Sequence, residues 1–351
     1  MQDSNKRNAD SDEGGTERDP YAVYERTYDP NWQNTQWRRD RDAKKHKPKK
    51  AEATIIAALA DEAVGLEGGF RITYKPARFE AGFLRDSVRT FFDQSLIIDI
   101  LAQIRGGKEA SVYRCVGHPI TNTPLLAAKV YRPRQFRNLS NDAVYREGRL
   151  VLKEDGRAVK GSDQRIQRAL NKKSTYGVQV AHTSWLMYEF KTLERLHAAG
   201  AAVPKPYATS ENAILMAYIG DATQAAPTLQ ESRLTPAEAP HLFNEVMRNI
   251  DLMLQQGWIH GDLSAYNILY WQGAITFIDF PQVVNVANNS HAYGVLERDV
   301  TRVCQYFATQ GVHSQPEKIA KELWARYERT DPNARLADFS RFVEEEEEFS
   351  K

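Results

Sequence analysis

The stretch Ile259-His260-Gly261-Asp262-Leu263-Ser264-Ala265-Tyr266-Asn267-Ile268-Leu269 decides how this chain of 351 residues is interpreted. It places an Asp and an Asn five residues apart in a polar turn, with apolar residues on both sides of that turn. Shortly afterwards, Phe277-Ile278-Asp279-Phe280 puts a second Asp at the end of an apolar run, which is typical of a strand.

These three side chains suit one reaction, phosphoryl transfer. That reaction needs an Asp to orient the attacking hydroxyl and accept its proton. It also needs an Asn and a second Asp to hold the magnesium ions that neutralise the phosphates. Asp262, Asn267 and Asp279 occur in that order and at suitable spacing. The sequence therefore predicts a chain that moves phosphate from ATP.

Composition narrows the class of protein. Hydrophobic residues make up 42% and charged residues 26% of the chain, and the net charge is +1. These values are ordinary for a globular protein and give no bulk attraction to nucleic acid or membrane. Cys115 and Cys304 lie far apart, which argues against a disulfide framework and favours a reducing compartment. Because neither a signal peptide nor an apolar run of bilayer length is present, we expect a cytoplasmic protein without a membrane partner.

The organisation of the chain predicts an α+β protein with two lobes. Strand-like runs at residues 110–116, 125–131 and 213–219 precede a helix-rich half, an order that favours a small β-rich N-lobe and a helical C-lobe. A helical run through Phe83 and Phe92 is expected to continue toward Leu101. The predicted units are a disordered charged tail (1–50), a helical extension (51–94), the N-lobe (95–219), the C-lobe (220–343) and an acidic tail (344–351).

The N-lobe carries a basic insertion at residues 132–178. Across residues 131–178 there are 12 Lys and Arg against 5 Asp and Glu. One interpretation is a solvated loop. The other is a surface near the ATP cleft that contacts RNA phosphates, a ribosomal particle or an acidic partner.

Two further segments lie where a nucleotide site needs them. Residues 104–113, Ile-Arg-Gly-Gly-Lys-Glu-Ala-Ser-Val-Tyr, form a Gly-containing hairpin that can bring backbone N–H groups to phosphate oxygens. Lys129 then stands alone in an apolar strand. A buried ammonium group needs a counter-charge, for which we expect Glu189 on the following helix. The alternative is an edge-strand Lys with a solvated tip.

These motifs together resemble the RIO family of atypical serine/threonine protein kinases, with a bacterial-type variant left open. The family carries Gly-Lys-Glu-Ala-Asn-Val-Tyr where this chain has residues 107–113. Its catalytic and metal loops are similar to residues 260–267 and 278–282. Asp279-Phe280-Pro281 replaces the Asp-Phe-Gly of ordinary protein kinases, and no Ala-Pro-Glu segment follows. The resemblance covers roughly residues 95–310.

The resemblance implies a role for each matching position. Asp262 is the expected catalytic Asp, Lys129 and Asp279 complete the catalytic set, and Asn267 and Asp279 hold Mg²⁺, or Mn²⁺ as the alternative. It also implies slow ATPase activity in which Asp279 accepts a phosphoryl group. The residues expected to bind ATP are Gly107, Lys108, Ser111, Val112, Lys129, Glu189, Met216, Ala217 and Ile219.

Several alternatives stay open at this level. A small-molecule kinase of the aminoglycoside or choline type shares the His-Gly-Asp-x-x-x-x-Asn loop, but such enzymes generally lack the block found here at residues 107–113. A nucleotide-switched scaffold that binds RNA or ribosomal particles is the other alternative. His260 is expected to organise the loop by hydrogen bonds. Asp299 either braces that loop from a helix or forms a surface ion pair.

Overall fold

A computed structural model describes residues 71–76, 80–107, 110–131, 151–153, 156–160, 163–172 and 174–329. The two predicted tails, 1–50 and 344–351, lie outside the described residues, as do the first predicted helix of the extension and Lys108. All the described residues fall in one compact unit.

The N-terminal half is built around one six-stranded sheet. Its strand order is β1-β2-β3-β4-β6-β5, in which β1 pairs parallel to β2 and the other neighbours are antiparallel. The elements of this half are β1 (Arg71–Ile72), α1 (Glu80–Asp93), β2 (Ile97–Gly106), β3 (Ala110–Gly117), β4 (Leu125–Tyr131), α2 (Gln164–Lys172), α3 (Thr175–Ala198), β5 (Pro206–Thr209) and β6 (Ala213–Ala217).

Strand β4 runs through the middle of this sheet, which explains its composition. Its residues are apolar apart from Lys129, and six of its seven residues are buried, as expected for a strand covered on both faces. Lys129 is in register with Val112 on β3 and with Ile214 on β6. The interpretation of Lys129 as an edge-strand residue is therefore wrong.

The C-terminal half is mainly helical, and two small antiparallel ribbons lie within it. The ribbons are β7–β10 and β8–β9, and the loop predicted to be catalytic lies between β7 and β8. The elements are α4 (Glu238–Gln255), β7 (Trp258–Ile259), β8 (Ile268–Trp271), β9 (Ala274–Phe277), β10 (Val284–Asn285), α5 (Ala292–Thr309) and α6 (Pro316–Arg329). A β-rich half followed by a helical half confirms the predicted α+β, two-lobed fold class.

The predicted continuation of the second helical run to Leu101 is wrong. Helix α1 ends at Asp93, and Ser95 adopts a left-handed conformation with φ of 56°. The N–H of Leu96 then donates to Phe91 O, and that of Ser95 donates to Phe92 O, which is the Schellman pattern of a helix end. The following Ile97-Ile98-Asp99-Ile100 is rich in β-branched residues, and it forms the start of β2.

The described part of the basic insertion contains regular structure, so the interpretation as a mere loop is wrong there. It includes helix α2 and the first turn of α3. An ideal Cβ built on Gly177 would lie 2.1 Å from Ala169 O, so the absence of a side chain at Gly177 lets the two helices approach closely.

One hydrophobic core joins the two halves. It includes Ala127 of β4, Phe190 of α3, Leu254 of α4 and Phe277 of β9. Cys115 and Cys304 are buried free thiols, as expected from their separation in the sequence. None of the described helices has the length and apolar character needed to cross a bilayer.

Candidate functional site

Lys129 forms the centre of a cluster that joins both halves of the molecule. Its Nζ lies 2.7 Å from Glu189 Oε1 and 2.6 Å from Asp279 Oδ1. The side chain of Glu189 is only 1% exposed, and Tyr131 donates its hydroxyl to Glu189 Oε2. Lys129 Nζ also lies 4.8 Å from the centre of the Tyr131 ring. The two residues that the sequence analysis pairs, Lys129 and Glu189, thus form an ion pair.

The charges of this cluster stabilise each other. Burial lowers the pKa of Lys129, but Asp279 and Glu189 outweigh that effect and hold the pKa above its ordinary value. Burial likewise raises the pKa of Asp279, but the neighbouring ammonium group of Lys129 outweighs it and the pKa lies below the ordinary value. At neutral pH, therefore, the Asp279 carboxylate and the Lys129 ammonium are both charged.

Asp279 also has an unusual backbone conformation. Its φ is 71°, in the left-handed region that residues other than glycine seldom adopt. Its side chain is 42% exposed, although Lys129 holds one of its oxygens. A strained residue with an accessible carboxylate is typical of a functional position.

His260 organises the catalytic loop and stays neutral. Its Nε2 lies 3.0 Å from the carbonyl of Ile278, and its Nδ1 accepts from the N–H of Asp262 at 3.4 Å. This pattern requires the proton on Nε2. Burial lowers the pKa of His260, in agreement with a neutral ring. The prediction that His260 organises the loop by hydrogen bonds is confirmed.

Helix α5 braces the same loop from the other side. The carboxylate of Asp299 accepts from the N–H of Gly261 at 2.8 Å, and Arg298 donates to the carbonyl of Gly261. Burial raises the pKa of Asp299 to about 6, against the opposing effects of Arg298 and of the Gly261 N–H. Asp299 is only 1% exposed. Of the two interpretations of Asp299, the brace is confirmed and the surface ion pair is wrong.

The register of a hairpin places Asn267 and Asp279 at one end of the same ribbon. Ile268 pairs with Phe277, and the N–H of Ile278 donates to the carbonyl of Asn267 at 3.0 Å. The side-chain nitrogen of Asn267 donates to the carbonyl of Asp262 at 2.8 Å, so its amide oxygen is the atom that can bind a cation.

This donor set fits Mg²⁺ only in part. An amide oxygen and an ionised carboxylate are the hard ligands that Mg²⁺ prefers, and phosphate oxygens and water normally complete its octahedron. Within the described ranges, no group of three His, Cys, Asp or Glu could hold a metal ion by itself.

The hairpin between β2 and β3 carries the predicted phosphate loop. Gly107 is exposed, and its N–H donates to the carbonyl of Ala110 at 2.9 Å, which closes the turn. Ser111 is buried and accepts from Gln103 Nε2 at 3.2 Å. Val112 is half-buried and lies opposite Lys129. Gly107, Ser111 and Val112 thus lie at the end of the sheet that leads to Lys129.

The predicted hinge residues follow β6. Met216 is buried and pairs with Ala127 on β4. The N–H of Ala217 donates to the carbonyl of Lys205 at 2.8 Å, and the carbonyl of Ile219 accepts from the N–H of Ala226 at 3.0 Å. Both Ala217 and Ile219 are half-buried.

Two side chains of this site, Tyr131 and Arg302, are not among the residues predicted from the sequence. Tyr131 could be suspected from its place at the end of β4, two residues after Lys129 and on the same face. Arg302, whose Nη1 lies 2.7 Å from Asp262 Oδ1, has no comparable signal. It lies 40 residues after Asp262, and only the packing of α5 against the loop brings the two together.

Comparison with known proteins adds independent information. The family model of the RIO domain matches residues 129–319, more than half of the chain. A RIO-type serine/threonine-protein kinase Rio1 of Haloferax volcanii is 31% identical over 219 residues, which cover 62% of this chain and 66% of the relative. Serine/threonine-protein kinase RIO1 of Chaetomium thermophilum is 29% identical over 242 residues, 66% of this chain and 43% of the relative. The human protein of that name is 27% identical over 241 residues, 68% of this chain and 38% of the relative. The matched stretch thus spans between 38% and 66% of these relatives.

Proposed function

This chain belongs to the RIO family, and from that premise we propose that it is a serine/threonine protein kinase that transfers the γ-phosphoryl group of ATP. The observation that carries the proposal is the contact of Lys129 Nζ with both Glu189 and Asp279, at 2.7 and 2.6 Å. An ammonium group held between a helix carboxylate and a carboxylate of the catalytic half is suited to orient the α- and β-phosphates of a nucleotide.

The hinge offers the right groups for adenine. The N–H of Ala217 is bonded to the carbonyl of Lys205, and the carbonyl of Ile219 is bonded to the N–H of Ala226. The complementary groups, the Ala217 carbonyl and the Ile219 N–H, form an acceptor and a donor two residues apart. That pair matches the amino donor and the ring-nitrogen acceptor on the edge of adenine. Met216 would contact the adenine ring.

Asn267 and Asp279 would hold Mg²⁺, with Mn²⁺ as the alternative. When bound, the cation neutralises the charge of the β- and γ-phosphates. The residues of this chain would contribute the amide oxygen of Asn267, whose nitrogen is bound to the carbonyl of Asp262, and the ionised carboxylate of Asp279. Gly107, Ser111 and Val112 would contact the phosphates from the N-terminal sheet, and Lys108, which lies outside the described residues, remains part of the proposed ATP-binding set.

Asp262 would act on the attacking hydroxyl. Its backbone is fixed by His260 and Asn267, and its side chain is 45% exposed, so a substrate can reach it. An Asp in this position orients the hydroxyl and accepts its proton. The acceptor would be a Ser or Thr of a protein. Slow hydrolysis, in which Asp279 transiently carries the phosphoryl group, is the alternative outcome of the same site.

The basic insertion supports a second, nucleic-acid-binding role. Arg165 and Arg168 are exposed on α2, and the Arg165 guanidinium lies 5.6 Å from the ring centre of Tyr176, which is itself 45% exposed. Cations beside an accessible aromatic ring can contact RNA phosphates and stack on bases. RNA or a ribosomal particle is thus the proposed partner of this surface, and a cytoplasmic location would agree with it.

The destination of the phosphoryl group tests the proposal. We expect γ-labelled ATP with Mg²⁺ to place label on Ser or Thr, in linkages that hydroxylamine does not cleave. Label that hydroxylamine releases from the wild type, and that is missing from Asp279→Asn, would instead identify an acyl phosphate on Asp279 and an ATPase cycle. Label found on neither the protein nor free phosphate would refute phosphoryl transfer altogether.

A further inference from the structure

Arg302 forms an ion pair with Asp262 that the roles proposed above do not explain. Its Nη1 lies 2.7 Å from Asp262 Oδ1, the carboxylate that would meet the acceptor hydroxyl. Arg302 projects from α5, one turn after Arg298 and Asp299. Three side chains of this helix therefore reach two successive residues of the catalytic loop, Gly261 and Asp262.

The contact is not explained by stability. The side chains of Arg302 and Asp262 are 41% and 45% exposed, and ion pairs at such exposure contribute little to folding. The loop backbone is already held by Asp299 and Arg298, both of which act on Gly261. Arg302 is the member of the three that reaches the reactive carboxylate itself.

The position of the guanidinium is suited to the reacting phosphoryl group. One carboxylate oxygen of Asp262 must lie within hydrogen-bond reach of the acceptor oxygen, and the acceptor oxygen must lie in line with the γ-phosphorus. A group 2.7 Å from Oδ1 therefore lies beside the reacting atoms. A guanidinium carries five N–H donors in a planar fork that matches phosphate oxygens. The bond to Asp262 uses one donor of that fork.

We propose that Arg302 is a catalytic residue of the phosphoryl transfer, an inference that rests on the proposed kinase function. One of its N–H groups holds Asp262 Oδ1 and so turns Oδ2 toward the acceptor hydroxyl. Other N–H groups of the same side chain contact the equatorial oxygens of the γ-phosphoryl group, where charge is spread in the transition state. Lys129, which is bound to Asp279, would contact the other phosphates.

The step balances without any further reactant. The bond between the acceptor oxygen and the γ-phosphorus forms as the bond between that phosphorus and its bridging oxygen breaks. The hydroxyl proton passes to Asp262 Oδ2, and the electron pair of the broken bond stays on the β-phosphate of ADP. Arg302 remains protonated throughout and supplies only positive charge and hydrogen bonds.

The test compares Arg302→Ala, Arg302→Lys and the matched control Arg248→Ala. Arg248 is also a half-exposed Arg in an ion pair, with Glu245 at 2.8 Å on α4, away from the loop. The measurement is steady-state release and transfer of label from γ-labelled ATP with Mg²⁺. We expect Arg302→Ala to lose about 100-fold in kcat while the KM for ATP stays within about twofold. Arg302→Lys should recover part of the loss, because it keeps the charge without the fork.

Two further readouts separate catalysis from a structural effect. The melting temperature of Arg302→Ala should stay within about 1 °C of wild type, as for Arg248→Ala. Guanidinium ion at millimolar, non-denaturing concentration should restore turnover to Arg302→Ala and leave Arg248→Ala unchanged. Rescue of this kind would not follow if Arg302 only supported the fold.

Other outcomes overturn the inference and stay distinct from failure of the kinase proposal. Turnover of Arg302→Ala equal to wild type would remove Arg302 from the reaction. Faster turnover of Arg302→Ala would show that the ion pair blocks Asp262, which also contradicts the inference. A wild-type protein that fails to turn over ATP would refute the proposed function itself, before any variant is compared.

Discussion

Gly261 shows how closely the loop proposed to be catalytic packs against the segment proposed to bind a metal ion. Its φ is 85°, which a residue with a Cβ rarely adopts. An ideal Cβ at this position would lie 2.1 Å from the carbonyl oxygen of Gln282. Gln282 lies three residues after Asp279, so the lack of a side chain at Gly261 sets the distance between the two carboxylates of the proposed site.

Replacing Gly261 by Ala is expected to damage both stability and turnover. Gly257→Ala is the matched control, because Gly257 has a φ of 79° but an ideal Cβ there meets nothing within 4 Å. The control isolates the backbone penalty of about 1 kcal/mol. Gly261→Ala adds a clash with backbone, for which a further 1–3 kcal/mol or so is typical. Urea unfolding and ATP turnover measure the two effects. Equal losses in both variants would contradict the close approach.

The raised pKa of Asp299 predicts that the stability of the protein depends on pH. Its pKa is about 6 in the folded protein against an ordinary value of 3.8. Between these values the folded chain keeps a proton that the unfolded chain has released, so stability is highest below the window and falls as the pH rises through it. From pH 4 to 6 the unfolding free energy of the wild type should therefore fall relative to that of Asp299→Asn, by at most about 1.4 kcal/mol per pH unit. Parallel pH profiles of the two proteins would contradict the raised pKa.

At the scale of elements, helix α1 and strand β1 are tied to the phosphate loop by side chains. Glu80 accepts from the hydroxyl of Tyr113, and the Tyr74 hydroxyl lies within hydrogen-bond distance of two acceptors, Glu80 Oε1 at 3.3 Å and Gln103 Oε1 at 3.2 Å. Gln103 Nε2 in turn donates to Ser111 Oγ. Burial, followed by the contact with Glu80, raises the pKa of Tyr113. The extension before the sheet thus fixes the orientation of a residue proposed to cover ATP.

Glu80→Ala is expected to weaken ATP binding although it lies outside the proposed site. Tyr113 is 3% exposed, and Glu80→Ala removes the carboxylate that accepts its buried hydroxyl proton, which costs about 1–3 kcal/mol of stability. With Gln103 less restrained, the affinity for Mg·ATP should fall severalfold. Asp93→Ala, at the exposed end of the same helix, is the control. Calorimetric titration measures the affinities. The relay would be refuted if both variants bound ATP equally well.

The accuracy of the sequence-based prediction also differs from element to element. The strands at 110–116 and 125–131 are confirmed to within one residue, because apolar runs bounded by turn residues specify strands directly. The run from Leu96 to Leu101 belongs largely to strand β2 although a helix is predicted there, because its apolar residues fit a helical period as well as a strand. A local event, the left-handed Ser95, decides between them. The contact of Arg302 with Asp262 has no pattern in sequence, because helix packing alone creates it.

At the scale of the whole molecule, contacts between the sheet and the helical half build the proposed site. Lys129 on the central strand reaches Asp279, and Arg105 at the end of β2 lies 3.6 Å from Glu231 on the helical side. The second pair is about half exposed and contributes little by itself. Neither half carries all the predicted residues, so ATP is expected to stabilise the protein as a single unit. A thermal scan with Mg·ATP should show one transition that moves upward.

Turnover of Mg·ATP by wild type, Lys129→Met, Asp262→Ala and Asp279→Ala tests the central claim most directly. The three variants remove the proposed phosphate-orienting cation, the proposed catalytic carboxylate and the proposed metal ligand. The first lies in the sheet and the other two lie in the helical half. If the residues form one phosphoryl-transfer site, each variant should lose about 100-fold or more in kcat/KM, and EDTA should abolish wild-type turnover. Wild-type turnover that persists in all three variants would contradict the account.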